Sequence, residues 1–504
     1  MTIAILAGAL VLAQAEPPAS APAAPAAPAT SARPAGTTRA RSVLFYLIDT
    51  CRADRMSMNG HDRPTTPFLE ELAERGVRFA HCFSQAPWTK PSVASILTSC
   101  YPSVTGMHRL LDQLDSDFVT LPEALRGAGW FTVGYSANPL MGRLSNYNQG
   151  FRRFLDAALV IPGGDCVNYA SGSGRALNRH VLPWIETNEE WPYFLYVHSV
   201  DPHEEYEPAE EYLRLFADPG RDPEYRRAWQ ALLDVKTIKI GNYCTAETFK
   251  KAGVEVGPFV GHGKDLYDAD VRANDHEISR LIDALAARGE LDDMIIVITS
   301  DHGEEFMEHG GTSHAYMLWN ELIHVPLLVV APGLLPEGLV VEAPVQSIDI
   351  YPTLLELLGV PAPEGLQGRS FAALLRGEGG GGRAIFAENH GVEGGEQYFL
   401  DQGNTLAVIE GAWKYILNVK SPHGRERPRH ELYRLDVDFA ERNDVAPAHP
   451  ELVERFESMV LEWWARNLAR HEGVEVDSLT LEDLRHADPE TLEQLRRLGY
   501  VRIP

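Results

Sequence analysis

Positive charge is what this chain has least of: 45 Lys and Arg residues stand against 71 Asp and Glu, a formal net charge of −26 over 504 residues. Nucleic acid is thereby excluded as a partner, because phosphate backbones are held by clustered cations that release counterions. Such a field also repels an anionic ester, so a substrate of that kind requires a local cation, and a bound metal is the simplest source. Cysteine is scarce too. The five present, Cys51, Cys82, Cys100, Cys166 and Cys244, show no CxxC and no Cys/His finger spacing, which excludes a zinc knuckle. The apolar stretch at residues 1–15 is too short to cross a bilayer and ends in the small-residue site Ala13-Gln14-Ala15. It reads as a secretory signal core, although no Lys or Arg precedes it. The expectation is an exported protein, periplasmic or extracellular, with no transmembrane span in the mature chain and room for one or two disulfides.

What is present describes an ordinary folded chain, with 44% apolar and 23% charged residues. Residues 16–40 are almost entirely Ala, Pro, Ser and Thr and read as a stiff, disordered tether behind the signal. From Ser42 to Ile48 runs an apolar stretch without alternation, the sign of a strand buried on both faces of a parallel sheet. The pattern returns at Tyr193 to His198 and at Met294 to Thr299, and each run leads into acids and histidines: Asp49, then Asp201 and His203, then Asp301 and His302. An amphipathic helix from about Asp265 to Arg288, with Ile278, Leu281, Ile282 and Leu285 on one stripe, separates the last two strands. Another buried strand is expected over Ile323 to Ala331, then a helix over Ser347 to Leu358.

The fold class is therefore α/β: a large mixed, mainly parallel sheet flanked by helices, with a smaller C-terminal antiparallel sheet plus helix. Ligands in such sheets sit beyond the carboxyl ends of the strands. The catalytic domain is expected at residues 41–375, a small α+β subdomain at 376–475 and a tail helix at 476–504. The second sheet is drawn from Ala384 to Ala387, Thr405 to Ile409 and Trp413 to Leu417, with a helix from Pro450 to Leu468. Residues 220–264 carry mixed signals and read as an insertion near the active edge.

Asp49 at one strand end and the Asp301-His302 pair at another can converge on one divalent cation, since neighbouring strand ends lie about 5–10 Å apart. Any one of them alone is more often a turn or cap residue. Thr89 precedes Pro91 and a run of Ser and Ala, which fits the first turn of a helix. That setting explains the threonine structurally. It also offers chemistry, because a helix N-terminus holds an anion and a hydroxyl facing it can attack once a metal lowers its pKa. His203, just after Pro202, falls on the same rim and can protonate a leaving oxygen. His198 lies within the strand and reads as a satisfied core histidine. His309 and His314, on the glycine-bearing stretch after Asp301, are candidate substrate contacts, as are Lys90 and Asn138.

In order along the chain these residues resemble the sulfatase family of the alkaline-phosphatase superfamily. The matching stretches are Ile48 to Asp54, Pro64 to Leu69 with Arg75 to Phe79, Trp88 to Thr98 with Tyr101, Pro102 and Gly106, Asp201-Pro202-His203, Ser300 to Glu304, and Val325-Pro326. The resemblance implies a metal-dependent hydrolase of anionic esters, borne by a small molecule, a glycan or a lipid head group, with one divalent ion (Ca, Mn, Mg or Zn) on Asp49, Thr89, Asp301 and His302. The departures are instructive. Sulfatases carry a Cys or Ser that becomes formylglycine, followed by Pro-Ser-Arg, whereas this chain has Thr89, and Val93 stands at the arginine position. Formylglycine is not expected. Thr50 replaces the second aspartate of the first metal motif, and the downstream lysine-histidine pair is missing near Ser136-Ala137-Asn138. The remaining set is similar to relatives of the superfamily that use an unmodified threonine, which favours phosphate or phosphonate ester hydrolysis or phosphoryl transfer through Thr89. The alternatives are sulfuric ester hydrolysis and an inactive anion- or glycan-binding protein. Cys51 and Cys100 stand where relatives carry aliphatic residues, as a disulfide near the site or as two buried thiols.

Overall fold

A computed structural model describes residues 41–156, 172–235, 243–380, 382–390, 404–421 and 426–471. The expected signal, tether and tail helix, with Cys166, lie outside the described residues. The strands of the catalytic part are β1 (Ser42–Ile48), β2 (Val77–Phe83), β3 (Phe131–Ser136), β4 (Arg153–Asp156), β5 (Tyr193–Ser199), β6 (Met294–Ser300), the short pair β7 (Glu305–Phe306) and β8 (Thr312–Ser313), β9 (His324–Val330), β10 (Leu339–Val341) and β11 (Val345–Gln346). Except for β7 and β8, which pair with each other, they form one sheet in the order β10-β2-β9-β6-β1-β5-β3-β4, with β11 also beside β2. The pairings are parallel apart from β9, which runs against both β2 and β6.

The central strand shows why its sequence does not alternate. All seven residues of β1 are buried: Leu44, Tyr46 and Ile48 enter one apolar cluster, and Val43, Phe45 and Leu47 enter another on the opposite face. Helices cover both faces, so neither side meets water. Parallel pairing of β1 with β5 and with β6 sets Ile48 opposite Ser199 and Ser300. The chain thus leaves all three strands at the same end of the sheet, where Asp49, Val200 and Asp301 follow.

The helix expected from Asp265 instead spans Val256–Ala287. Its first turns hold Gly257, Gly261 and Gly263, poor helix formers that hide the pattern, and they are held by packing of Phe259 against the Asp222–Val235 helix. The described part of the 220–264 stretch is made of the helices Asp222–Val235 and Ala246–Ala252 and the first turns of Val256–Ala287.

The second sheet has four antiparallel strands, β12 (Ile385–His390), β13 (Asn404–Glu410), β14 (Trp413–Lys420) and β15 (His430–Arg434). The last was not foreseen, since its ends are charged and only Leu432 and Tyr433 are apolar. One face packs on Trp319, Leu322 and Ile323. The other is covered by the Pro450–His471 helix through Phe456, Val460 and Trp463. Of the two readings of Cys51 and Cys100, the buried thiols hold: Cys51, Cys82, Cys100 and Cys244 are free. Cys51 packs in the core with Met56 and Met58, whereas the Cys100 sulfur lies 3.8 Å from the Gly365 carbonyl.

No helix among the described residues is long and apolar enough to cross a membrane. The fully buried Phe456 ring, stacked 6.2 Å from Tyr415, carries the helix onto the second sheet. Phe456→Ala is expected to cost about 3–5 kcal/mol, read as a lower urea midpoint in chemical denaturation.

Candidate active site

The site is built where β1 and β6 end. The Asp49 amide donates to the Ser199 carbonyl at 3.0 Å, and the chain then turns sharply at Thr50, whose φ is +54°. That turn aims the Thr50 amide at Asp301 Oδ1, 3.2 Å away, and Cys51 N at Ser300 Oγ, 2.9 Å away. The phenol of Tyr267 donates to the Thr50 carbonyl at 2.6 Å and holds the turn. After β6 the chain passes so close to its neighbour that a Cβ on Gly303 would lie 2.1 Å from the Glu321 carbonyl oxygen. Glycine is required there, in the middle of Asp301-His302-Gly303-Glu304.

Thr89 is the first residue of the Thr89–Thr98 helix, which is buried along its whole length. Ser92, one turn on, donates to the Asp301 carbonyl at 2.6 Å and locks this helix to the end of β6. The Thr89 hydroxyl lies 3.2 Å from His302 Nε2. His302 Nδ1 lies 2.9 Å from the Gly303 carbonyl, so it must carry the proton and leave Nε2 with a lone pair. That nitrogen is 3.5 Å from Asp49 Oδ1 and 3.6 Å from Asp301 Oδ2.

The electrostatics are those of a cation site. Burial, and then the charge of Asp301, hold the Asp49 carboxyl well above the usual range, and burial pushes Asp301 up to about 7. Burial drives His198 down to about 3 and His302 well below its ordinary value, so both imidazoles are neutral. Among the described residues no Lys or Arg pairs with either carboxylate. Asp49 Oδ1, Asp301 Oδ2 and His198 Nε2 are buried without hydrogen-bond partners, and ligand atoms of these three residues lie within 4.8 Å of one another. Orphaned buried donor atoms of this chemistry fit a divalent ion.

His198 therefore faces the cluster, with Nε2 3.8 Å from Asp49 Oδ2, and is not a satisfied core histidine. Its place one residue before the end of β5, level with Leu47 of β1, was the available signal. Glu304 is the other omission: fully buried, with Oε1 3.2 Å from His314 Nδ1 and Oε2 without a hydrogen-bond partner. The His314 ring lies 4.6 Å from that of His302 and 4.9 Å from that of His203. His203 directs Nδ1 to the Glu204 carbonyl at 2.9 Å, and burial lowers it to about 3.

Three expected substrate contacts are employed otherwise. The Lys90 ammonium is fully buried on the carbonyls of Leu110 and Asp112, 2.6 and 2.5 Å away, and burial brings it down to about 7. Asn138 donates to Asp49 Oδ2 at 2.6 Å and accepts from Leu140 N at 2.9 Å, so it orients a carboxylate. His309 bonds Glu321 through Nδ1 and lies 2.9 Å from the Glu441 carbonyl through Nε2, stacked on Trp319. Burial works to lower its pKa, but Glu321 outweighs burial and raises it; His309 ties the loop to the second sheet.

A metal preference follows with its sign. Asp301 has its folded pKa raised from 3.8 to about 7, so the metal-free fold loses stability as pH rises through that window. A divalent ion binds the ionised carboxylates and offsets the loss. The melting-temperature increment on adding Mn or Zn is expected to be larger at pH 8 than at pH 5.5. Asp301→Asn should melt higher than the parent without metal at pH 8 and show no increment; scanning fluorimetry reads both.

A family model described as Sulfatase matches residues 41–360 of the chain. The curated relatives include arylsulfatase K of Rattus norvegicus, 24% identical over 418 residues, with 77% of this chain and 71% of the relative covered. The phosphonate monoester hydrolase of Agrobacterium radiobacter has a similar fold, with TM-score 0.68 and 22% identity over 85% of this chain and 96% of that one. So does a protein solved in complex with its substrate D-glucosamine-2-N,6-O-disulfate, with TM-score 0.66 and 20% identity over 87% and 99%. With the motif match spanning more than half of its length, the chain belongs to the sulfatase family and is an ester hydrolase.

Proposed function

We propose that the chain cleaves phosphate or phosphonate esters, or passes their phosphoryl group to an acceptor alcohol, through the unmodified hydroxyl of Thr89. The observation that carries this reading is the Thr89 hydroxyl at a helix N-terminus, 3.2 Å from His302 Nε2 and beside two buried carboxylates. A formylglycine hydrate would have a second hydroxyl to expel sulfate, and a threonine ester has none. Val93, at the arginine position of the sulfatase motif, is buried in the apolar core, and the Lys90 ammonium is bound to carbonyls. The nucleophile helix thus brings no side-chain cation to an aldehyde hydrate.

Asp49, Asp301 and His302 would hold one divalent ion, with His198 beside them. The imidazoles favour Zn or Mn over Ca, which takes oxygen ligands. When bound, the ion lowers the pKa of the hydroxyl and offsets charge on the ester oxygens. Thr89 Oγ1 releases its proton to water and attacks phosphorus in line, and the bond to the leaving oxygen breaks as the new bond forms. The Glu304 carboxyl is held well above its ordinary range by burial, so the Glu304–His314 pair retains a proton at neutral pH. His314 gives a proton to the leaving oxygen and recovers one from Glu304. Water or an alcohol then cleaves the phospho-Thr89 ester, and its proton returns to the pair. The arylsulfatase K relatives favour a second reading, in which the same hydroxyl takes up a sulfuryl group. An exported location rests on the N-terminal stretch alone.

Two measurements test the reading. Aryl phosphate, phosphonate and sulfate esters are assayed with Mn, Zn, Mg and Ca; phosphorus esters are expected to turn over faster, and Thr89→Ala to lose about a thousandfold or more of kcat. Turnover of the sulfate alone, or full activity in the variant, contradicts it. Glu304→Gln should lower kcat about 10- to 100-fold for an alkyl leaving group and much less for 4-nitrophenol, which needs no proton; equal losses on both would remove the proton relay.

A further inference from the structure

The helices Asp222–Val235 and Val256–Ala287 border an open cavity of about 270 Å³ that takes no part in the chemistry above. Arg221, Glu224, Tyr225, Glu255, Phe259 and His262 are among its lining residues. His262 is only 2% exposed, yet neither ring nitrogen has a hydrogen-bond partner among the described residues. The nearest carboxylate oxygen, Asp222 Oδ1, is 4.0 Å from Nε2, beyond hydrogen-bond reach, and is paired with Arg226 Nε at 3.4 Å. Burial lowers the His262 pKa, so the ring is neutral and offers one donor and one acceptor. Buried polar atoms of this kind require a partner, and here they border a space large enough to supply one.

The lining restricts what that partner is. Glu224 and Glu255 outnumber Arg221, which excludes an anion such as the ester group handled at the main site. The aromatic rings do not form a cage for a cation: Tyr225 stacks on Phe259 with centroids 4.6 Å apart, and Trp229 is parallel to Phe259 at 5.7 Å. The Arg226 guanidinium already lies 5.6 Å over the Tyr225 ring, so a quaternary ammonium would compete with a resident cation there. An apolar ligand would leave both His262 nitrogens unpaired. Hydroxyl groups answer all of these demands, because each both donates and accepts, and a ring with C–H faces fits the apolar remainder. We infer that this cavity is a binding site for an uncharged sugar ring, separate from the metal cluster.

The test uses the full chain and saturation-transfer NMR with methyl glycosides of glucose, galactose, mannose and N-acetylglucosamine, and with inorganic phosphate, sulfate and choline. At least one uncharged glycoside is expected to bind with a millimolar Kd. Binding should weaken about tenfold or more in His262→Phe and vanish in Ala228→Trp, which fills the cavity from a partly exposed position and should melt as the parent does. Absence of binding by every glycoside, binding by choline or phosphate alone, or sugar binding unchanged in both variants overturns the inference.

Discussion

Two carboxylates, Asp49 and Asp301, are buried at the ends of adjacent parallel strands with no cationic side chain among the described residues to neutralise them. The rest of the site is an accommodation to that fact. Desolvation raises both pKa values, neutral histidines surround them, and their outward oxygens are left without partners. In a chain of net charge −26 such a pair would be sustained by a bound divalent ion, which would turn an unfavourable burial into affinity. The strand register that sets Ile48 level with Ser300 therefore also sets the geometry of the candidate metal site.

That register explains the precision of the surroundings. Thr89 is fixed against His302 because Ser92 of the same helix is bonded to the backbone at Asp301. The loop with His314 is tied from two sides: Ala315 N donates to the Pro87 carbonyl, and Asn389 of the second sheet donates to the Ala315 carbonyl at 3.0 Å. His309 and the buried Lys414–Glu441 pair add to the same seam. The second sheet thus acts on the site by holding a loop, without contributing a reacting group.

The sheet and the convergence of Asp49, Thr89, Asp301 and His302 were legible in the sequence because buried parallel strands announce themselves as unbroken apolar runs, and the acids follow directly. What was not legible depends on side-chain direction. His198 looks like a core residue until the pairing of β5 with β1 turns it toward Asp49. Glu304 lies in a run of acids whose burial no pattern reveals. Lys90, Asn138 and His309 have types suited to anion binding, but local carbonyls, a carboxylate and Glu321 claim them first. The start of the Val256–Ala287 helix was placed too late because its glycines mask a helix that tertiary packing enforces.

The proposed chemistry runs through the unmodified hydroxyl of Thr89. The most direct test is to mix the metal-loaded protein with a phosphate ester labelled on phosphorus, quench in acid during turnover, and map the labelled peptide. The account predicts label on the peptide carrying Thr89, with threonine intact, and none in Thr89→Ala. Turnover with label on another residue, or with none retained at any quench time, contradicts it.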